Sequence, residues 1–255
     1  MTLIGGTFAY RLLSHIAPPS TLSRHANVQA HQDDPLRSML AVYLPADAWA
    51  DLVGKVVLDY GCGAGADMVE LVRQGARHVI GLEIRQSMLD AARRNTETAG
   101  VVDRCTFVRR TPPDLRVDAI TCTDVMEHVD EPDAVLAHMG RLLRPEGRAY
   151  LSFGPPWYHP YGGHLFSVFP WAHLLFTERA MMRWRRDVTP GATVQRYRDS
   201  GLNQMTVRRF LRALERSPLQ AERLELTPIR LLRRMHNRLT REFFTSVVRC
   251  QLTHR

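Results

Sequence analysis

The stretch Val56-Val57-Leu58-Asp59-Tyr60-Gly61-Cys62-Gly63-Ala64-Gly65 constrains this chain more than any other. Its apolar start reads as a short buried strand. Its three glycines at alternate positions read as a turn where the backbone passes close to something that side chains would obstruct. A helix pattern follows, with Val69 and Val72 on one face and Gly75 placed as its C-terminal cap. Glu83 closes the next strand, 18 residues after Gly65. In a doubly wound sheet that spacing sets a carboxylate beside the glycine turn, able to accept both hydroxyls of a ribose. Asp59, Gly61, Gly63, Gly65 and Glu83 are therefore candidate cofactor-binding residues. Gly61, Gly63 and Ala66 also satisfy the G-x-G-x-x-A fingerprint, so the turn by itself leaves open which adenosine-bearing cofactor is held.

The rest of the chain repeats the strand–helix alternation. Strands are expected at 56–60, 78–82, 105–108, 119–122 and 149–153. Ser87 and Asp90 suggest a capping box for the second helix. Pro132 suits the first turn of a later one, and the turn Arg144-Pro145-Glu146-Gly147 leads into strand five. Thr206 is placed to cap a helix whose inner face is Val207, Phe210, Leu211 and Leu214. Alternation around 221–226 and 246–252 predicts two late strands, an antiparallel closing pair. The expected fold is α/β: a doubly wound, seven-stranded, mostly parallel sheet with an N-terminal helical cap and a lid after strand five. Residues 1–50 would form the cap, within which 36–50 reads as one short helix, Pro18, Pro19 and Ser20 as a break, and 31–35 as a loop. Residues 51–255 would form the main domain, with 155–200 as the lid insertion.

Charge is unevenly spread. Residues 1–177 carry a net charge of −3, whereas residues 178–255 hold 18 arginines against 7 acids, a net of +11. A basic C-terminal third suits a solvated arginine face, an anionic substrate, a membrane surface or nucleic acid. Segment 228–244 is the most amphipathic part, with Ile229, Leu232, Leu239 and Phe243 on one side and Arg230, Arg233, Arg234, Arg238 and Arg241 on the other. Four cysteines with no CxxC pair exclude a disulfide scaffold and a zinc ribbon. Arg11 follows the first apolar stretch rather than preceding it, the wrong order for a secretory signal, so the expected setting is the cytoplasm. The uncharged run 149–177 is broken by Gly154, Pro155, Pro156, Pro160, Gly162, Gly163 and Pro170, which forbids a continuous spanning helix.

With these motifs in place the chain resembles a class I S-adenosylmethionine-dependent methyltransferase over residues 56–153, and more loosely to its end. Residues 56–65 resemble that family's first motif, and Glu83 matches its ribose-binding acid. Val117-Asp118-Ala119-Ile120 into Asp124-Val125-Met126-Glu127-His128-Val129 is similar to its fourth-strand motif, and Leu142-Leu143-Arg144-Pro145-Glu146-Gly147 to its turn before strand five. The nearest likeness is to the ubiquinone- and menaquinone-biosynthesis group, which act on small or lipidic molecules. The resemblance implies a Rossmann-like methyltransferase fold, S-adenosylmethionine as cofactor, and methyl transfer to a small-molecule or lipid-like acceptor, O-methylation among the options. One motif departs: Thr111 stands where the family usually has an adenine-binding acid after strand three, leaving Thr111, Asp114 or backbone for that contact.

A sulfonium, an ammonium and a nucleoside need carboxylates near the cations. Asp124, at the end of strand four, joins the candidates as either a crevice residue or a cap, and Met88 as either an adenine contact or a core methionine. The lid is rich in rings, with Trp157, Tyr158, Tyr161 and Phe166 around a Gly162-Gly163 hinge, which suits an apolar acceptor or a sealed flank. A hydroxyl acceptor needs a base, and His128 and His164 are the candidates. No metal is expected, because the histidines lack ligand spacing and thiolate or carboxylate partners. Two rival readings are a nucleic-acid methyltransferase, which lacks a base-flipping motif here, and a protein that binds the cofactor without turnover.

Overall fold

The structure is a computed structural model that describes residues 4–18, 37–166, 168–188 and 195–255. The loop expected at 31–35 and the break at Pro19 and Ser20 lie outside them.

Seven strands form one sheet: β1 (Val56–Tyr60), β2 (His78–Leu82), β3 (Cys105–Val108), β4 (Val117–Thr123), β5 (Leu143–Phe153), β6 (Leu219–Pro228) and β7 (Thr245–His254). Their order is β3-β2-β1-β4-β5-β7-β6. The first five are parallel, and β7 runs antiparallel between β5 and β6. The expected fold and its closing pair are therefore present. The order reverses between β1 and β4, so the C-terminal ends of these two strands part and open a crevice, the place where such sheets bind ligands.

Ten α-helices can be named among the described residues: α1 (Gly6–Ile16), α2 (Leu40–Tyr43), α3 (Ala46–Ala50), α4 (Ala66–Arg73), α5 (Gln86–Thr98), α6 (Pro132–Leu142), α7 (Ala172–Leu175), α8 (Glu178–Val188), α9 (Val207–Arg216) and α10 (Arg241–Phe244). On one face of the sheet, α6 and α9 bury Leu136, Met139, Phe210 and Leu214 against Leu58, Ile120, Leu151 and Phe153. On the other, α2 to α5 bury Leu40, Leu52, Met68, Leu71 and Leu89 against Val57, Val79 and Tyr150. Central strands buried on both faces explain why β1 and β4 read as continuous apolar runs.

Local chemistry sets the boundaries. Thr206 caps α9 by accepting from the Arg209 amide at 3.0 Å. Gly75 ends α4 with φ +100°, and Pro132 occupies the first turn of α6. Three expectations are corrected. The second helix starts at Gln86 with Arg85 as its N-cap and no capping side chain; Ser87 lies inside it, and Asp90 instead accepts from the Gln86 amide group. The turn at 144–147 is absorbed into β5, whose register against β4 shifts between Val117 and Ala119 so that the extra residues bulge outward, with Arg144 paired to Asp118. The single helix expected over 36–50 is two short ones, α2 and α3, separated by Leu44 and Pro45.

The lid has a core of its own. Trp157, Phe166, Phe176, Met181, Trp184 and Tyr197 are buried together with Ala9 and Leu13 of α1. The Trp184 indole donates to the Ala17 carbonyl at 2.9 Å, joining the leading helix to α8. In the Gly162-Gly163 pair, a Cβ at Gly162 would fall 2.2 Å from the Pro156 carbonyl oxygen, so this glycine permits close backbone packing.

Phe153 and Phe210 meet with ring centroids 5.1 Å apart, and both are fully buried. Phe210→Ala is expected to cost about 3–5 kcal/mol through lost transfer energy and a residual cavity. Urea unfolding measures this, with the slope unchanged.

Candidate functional site

The crevice between β1 and β4 is walled by carboxyl groups. Asp59, one residue from the end of β1, is buried; its Oδ1 accepts from the Thr121 hydroxyl at 3.2 Å and its Oδ2 has no hydrogen-bond partner. The turn after β1 is held by Gly61 and Cys62 amides donating to the Leu82 carbonyl at 2.7 and 3.0 Å, and by Asn95 donating to the Ala64 carbonyl at 2.9 Å. Gly61, Gly63 and Gly65 all have positive φ, at +82°, +50° and +84°. They are not equivalent. A Cβ at Gly61 would strike Val125 and one at Gly65 would strike Ala92, whereas one at Gly63 meets nothing within 4 Å. Gly61 and Gly65 therefore serve packing, and Gly63 borders open space.

Glu83 stands at the tip of β2, and its Oε1 accepts from the Arg85 amide at 2.9 Å. The Arg85 guanidinium also reaches the same carboxylate, at 3.2 Å, from a largely exposed position. That side chain can swing into solvent and leave a carboxylate already oriented by the backbone. Met88, on the first turn of α5, is half-buried and lies outside the buried clusters, which are served by its neighbour Leu89.

Asp124 follows β4 directly with φ +52°, strained for a residue with a side chain. Its amide donates to the Ser152 carbonyl at 2.9 Å, while its buried Oδ1 has no partner. Two acids that the sequence reading did not assign a role share this crevice. Asp67, in the first turn of α4, accepts from the Ser38 hydroxyl at 2.7 Å and the Leu40 amide at 3.1 Å, tying the cap to the glycine turn. Glu127 is buried, accepts from the Gly154 amide at 3.4 Å, and has an unpartnered Oε2. Asp67 carries a readable signal, an acid in the first helical turn after a glycine loop. Glu127 lies inside a motif where attention fell on its neighbour His128.

These groups raise one another's pKa. Burial, followed by the nearby Asp67 charge, pushes Asp124 up to about 7. Burial and the Asp124 charge push Glu127 up to about 8. Burial, Asp67 and Glu83 hold Asp59 well above the usual carboxylate range. Burial and the charges of Asp124 and Glu127 raise the Tyr43 phenol to about 12, so this cap residue lies within electrostatic reach of both acids. Beside Tyr43 opens a small groove of about 40 Å³, lined by Leu40, Leu44, Tyr150, Leu151 and Cys250 on one side and edged by Arg223, Glu225 and Arg249.

The two histidines come together. Their ring centroids are 6.0 Å apart, His164 from the lid and His128 from the loop after β4. His128 Nδ1 donates to the Gly201 carbonyl at 3.0 Å, which in the neutral ring leaves Nε2 as the acceptor. Burial, then the neighbouring His128, lowers His164 to about 4. Of the lid rings, Trp157 is packed between His173 and Tyr197, while Tyr158 and Tyr161 are exposed. The Thr111 hydroxyl is engaged by His138 at 2.9 Å. Among the described residues no cluster of His, Cys, Asp and Glu has the form of a metal site, and no helix is long and apolar enough to cross a membrane.

Residues 57–147 match the family described as a methyltransferase domain. The ubiquinone biosynthesis O-methyltransferase of Neisseria meningitidis serogroup A is 30% identical over 166 residues, covering 62% of this chain and 67% of that protein. An S-adenosylmethionine-dependent methyltransferase from Mesorhizobium loti shares the fold with a TM-score of 0.53 at 20% identity, over 85% of this chain and 95% of that one. Geranyl diphosphate C-methyltransferase from Streptomyces coelicolor, solved with Mg2+, a substrate analogue and S-adenosylhomocysteine, does so with a TM-score of 0.54 at 20% identity, over 82% and 75%.

The crevice and the lid respond to pH in opposite directions. Asp124 and Glu127, raised when folded, stabilise the free protein at low pH and lose that contribution as pH rises through about 7 and 8. His159, His164 and His173, each lowered to about 4 chiefly by burial, contribute stability above pH 6.5 that is lost as pH falls toward 4. Thermal unfolding scanned over this range should show a maximum between the two limbs. Glu127→Gln should flatten the alkaline limb and leave the acid one in place.

Proposed function

The chain belongs to the S-adenosylmethionine-dependent methyltransferases, and from that premise we propose that it methylates a hydroxyl of a small, ring-bearing or lipid-like acceptor. The observation that carries the reading is the crevice: four buried or largely buried carboxyls, three of them with an unpartnered oxygen, beside a glycine turn that is open at Gly63. Buried carboxylates without cations are costly, and a ligand bringing a sulfonium and an ammonium relieves that cost. A dinucleotide would bring a pyrophosphate into the same negative crevice, which disfavours it. The residues present therefore fit S-adenosylmethionine. When bound, it supplies an electrophilic methyl group on sulfur and a neutral thioether leaving group.

In this reading the chain's own residues bind, orient and exclude water. Gly61, Gly63 and Gly65 shape the turn, and Gly63 admits the ligand against the backbone. Asp59 and Asp124 face the cationic end. Glu83 accepts from the ribose hydroxyls once the Arg85 side chain yields, and Met88 borders the adenine side. His128 Nε2 takes the acceptor proton, its tautomer set by the Gly201 carbonyl. His164, with its low pKa, is the weaker base and serves better as a neutral wall beside His128. Residues 1–50 and 155–200 act as cap and lid over domain 51–255, with the acceptor entering beneath them. The relative from Neisseria meningitidis is named as an O-methyltransferase of ubiquinone biosynthesis, which supports a hydroxyl on an apolar molecule. Catalysis then rests mainly on holding acceptor and sulfonium in line.

Isothermal calorimetry with S-adenosylhomocysteine tests the cofactor half. Glu83→Ala should cost about 1.5–3 kcal/mol of affinity, the scale of hydrogen bonds to a charged group. Gly63→Val should abolish binding with an unchanged far-UV spectrum, since a Cβ there points into open space rather than at a protein atom and any strain from the +50° φ stays local to the turn. Undiminished affinity in either variant removes that residue from the site.

Incubation with labelled S-adenosylmethionine and cell extract, followed by mass spectrometry of the labelled product, identifies the acceptor. A labelled oligonucleotide, or no product despite tight binding, would replace this reading with one of its rivals. With the acceptor in hand, His128→Ala should lower turnover by about 10²–10⁴-fold with cofactor affinity retained, and the loss should shrink as pH rises. A fall of less than threefold (~0.6 kcal/mol) would leave proximity as the sole source of catalysis.

A further inference from the structure

The +11 C-terminal third supplies none of the crevice's carboxyls, yet it contains the most exposed apolar side chains of the described residues. Leu231 is 91% exposed and Leu239 is 89% exposed, with Met235 and Phe243 also open to solvent. All four lie on the excursion between β6 and β7, which comprises a 3-10 turn (Arg230–Met235) and α10.

This excursion is a held structure. The Ile229 amide donates to the Phe244 carbonyl at 2.8 Å and closes its base. His236 Nε2 and the Thr245 hydroxyl are 2.9 Å apart, and the Asn237 side chain accepts from the Leu239 amide at 2.9 Å. Glu242 accepts from the Arg208 amide at the start of α9 at 2.7 Å. The leucines are thus presented by a fixed scaffold and pack on no core.

Arg230, Arg233, Arg234 and Arg238 flank the leucines in the chain and are exposed, and Arg241 is half-buried. Among the described residues none of these five guanidiniums is in an ion pair. The only acid of the excursion, Glu242, is committed to the Arg208 amide. Tyr158, from the lid just past β5, meets Phe243 with ring centroids 5.4 Å apart, so the excursion adjoins the mouth of the crevice.

We propose that the excursion between β6 and β7 docks the protein on an anionic phospholipid bilayer, inserting Leu231 and Leu239 between headgroups that Arg230, Arg233, Arg234 and Arg238 pair with. The chemistry selects this occupant. Protruding leucines have no complement on a nucleic-acid backbone, whereas an interface of acyl chains under phosphate accepts isolated apolar tips flanked by arginine. A fluid surface also needs no matching groove. The inference goes beyond methyl transfer and stands whichever acceptor is used.

Flotation of the full chain with phosphatidylcholine vesicles, with and without phosphatidylglycerol, tests it. Recovery with the anionic vesicles, loss of recovery on raising salt, and little recovery with phosphatidylcholine alone are expected. Arg233→Ala and Arg234→Ala should each weaken partitioning about fivefold. The double variant Leu231→Ser, Leu239→Ser should weaken it about tenfold or more, with S-adenosylhomocysteine affinity unchanged. Equal recovery in the unbound fraction for both vesicle types would overturn the proposal. So would full binding by the leucine variant. Tight, salt-sensitive binding of an oligonucleotide that the leucine variant retains would assign the patch to nucleic acid instead.

Discussion

The structure depends on a concentration of negative charge that the chain does not itself neutralise. Asp59, Asp67, Asp124 and Glu127 come from three segments, β1, α4 and the loop after β4, and meet where the sheet order reverses. Three of them accept from a neutral donor, Asp59 from Thr121, Asp67 from Ser38 and Glu127 from the Gly154 amide, while Asp124 is placed by its backbone amide, which donates to the Ser152 carbonyl. Neutral donors fix position without cancelling charge. The buried pairs therefore hold protons near neutral pH, and a cationic ligand finds carboxyl groups that need only release them. The cap belongs to the same device, since residues 38–40 are hydrogen-bonded to α4 through Asp67 and Leu40 packs in the same cluster as Met68 and Leu71.

Backbone strain marks the same place. Asp124 takes a left-handed conformation directly after β4, and this turn sends Glu127 inward and His128 outward. The two neighbours consequently meet different surroundings: Glu127 the dry end of β5, His128 the Gly201 carbonyl and the lid. One strained residue thus separates the carboxyl wall from the imidazole wall. The lid can present His164 there because its own core of Trp157, Phe166 and Tyr197, closed by α1, fixes the segment.

Most of the sheet was readable in the sequence because each strand is a short apolar run bounded by a turn residue or an acid, and because such runs have few other uses. The late pair was readable from its alternation, which only a half-exposed sheet edge produces. What was not readable depended on packing between distant segments. The bulge at 144–147 coincides with a register shift around Asp118, whose carboxylate pairs with Arg144 across the two strands. The packing role of Gly162 rests on a carbonyl of Pro156 that no local pattern reveals. In the site, Asp59, the glycines and Glu83 follow from strand–turn geometry. The convergence of Asp67, Glu127 and Tyr43 required the cap to fold back over α4, a contact spanning nearly thirty residues.

The charge asymmetry of the chain acquires a spatial meaning from this arrangement. The acids that give residues 1–177 their negative balance include those turned into the crevice, while the arginines of the last third lie mostly at the surface. The two populations serve different dielectrics. Inside, charge is strong and unscreened, so a few carboxyls suffice to select a cation. Outside, each arginine is weakened by water and salt, so selectivity for an anionic surface requires several together. Tyr158 and Phe243 join the two regions at the lid. An apolar acceptor arriving along the basic face would pass from a screened, multivalent surface to a dry, charged crevice without crossing bulk water, which is the order of environments that a poorly soluble acceptor and a cationic methyl donor require.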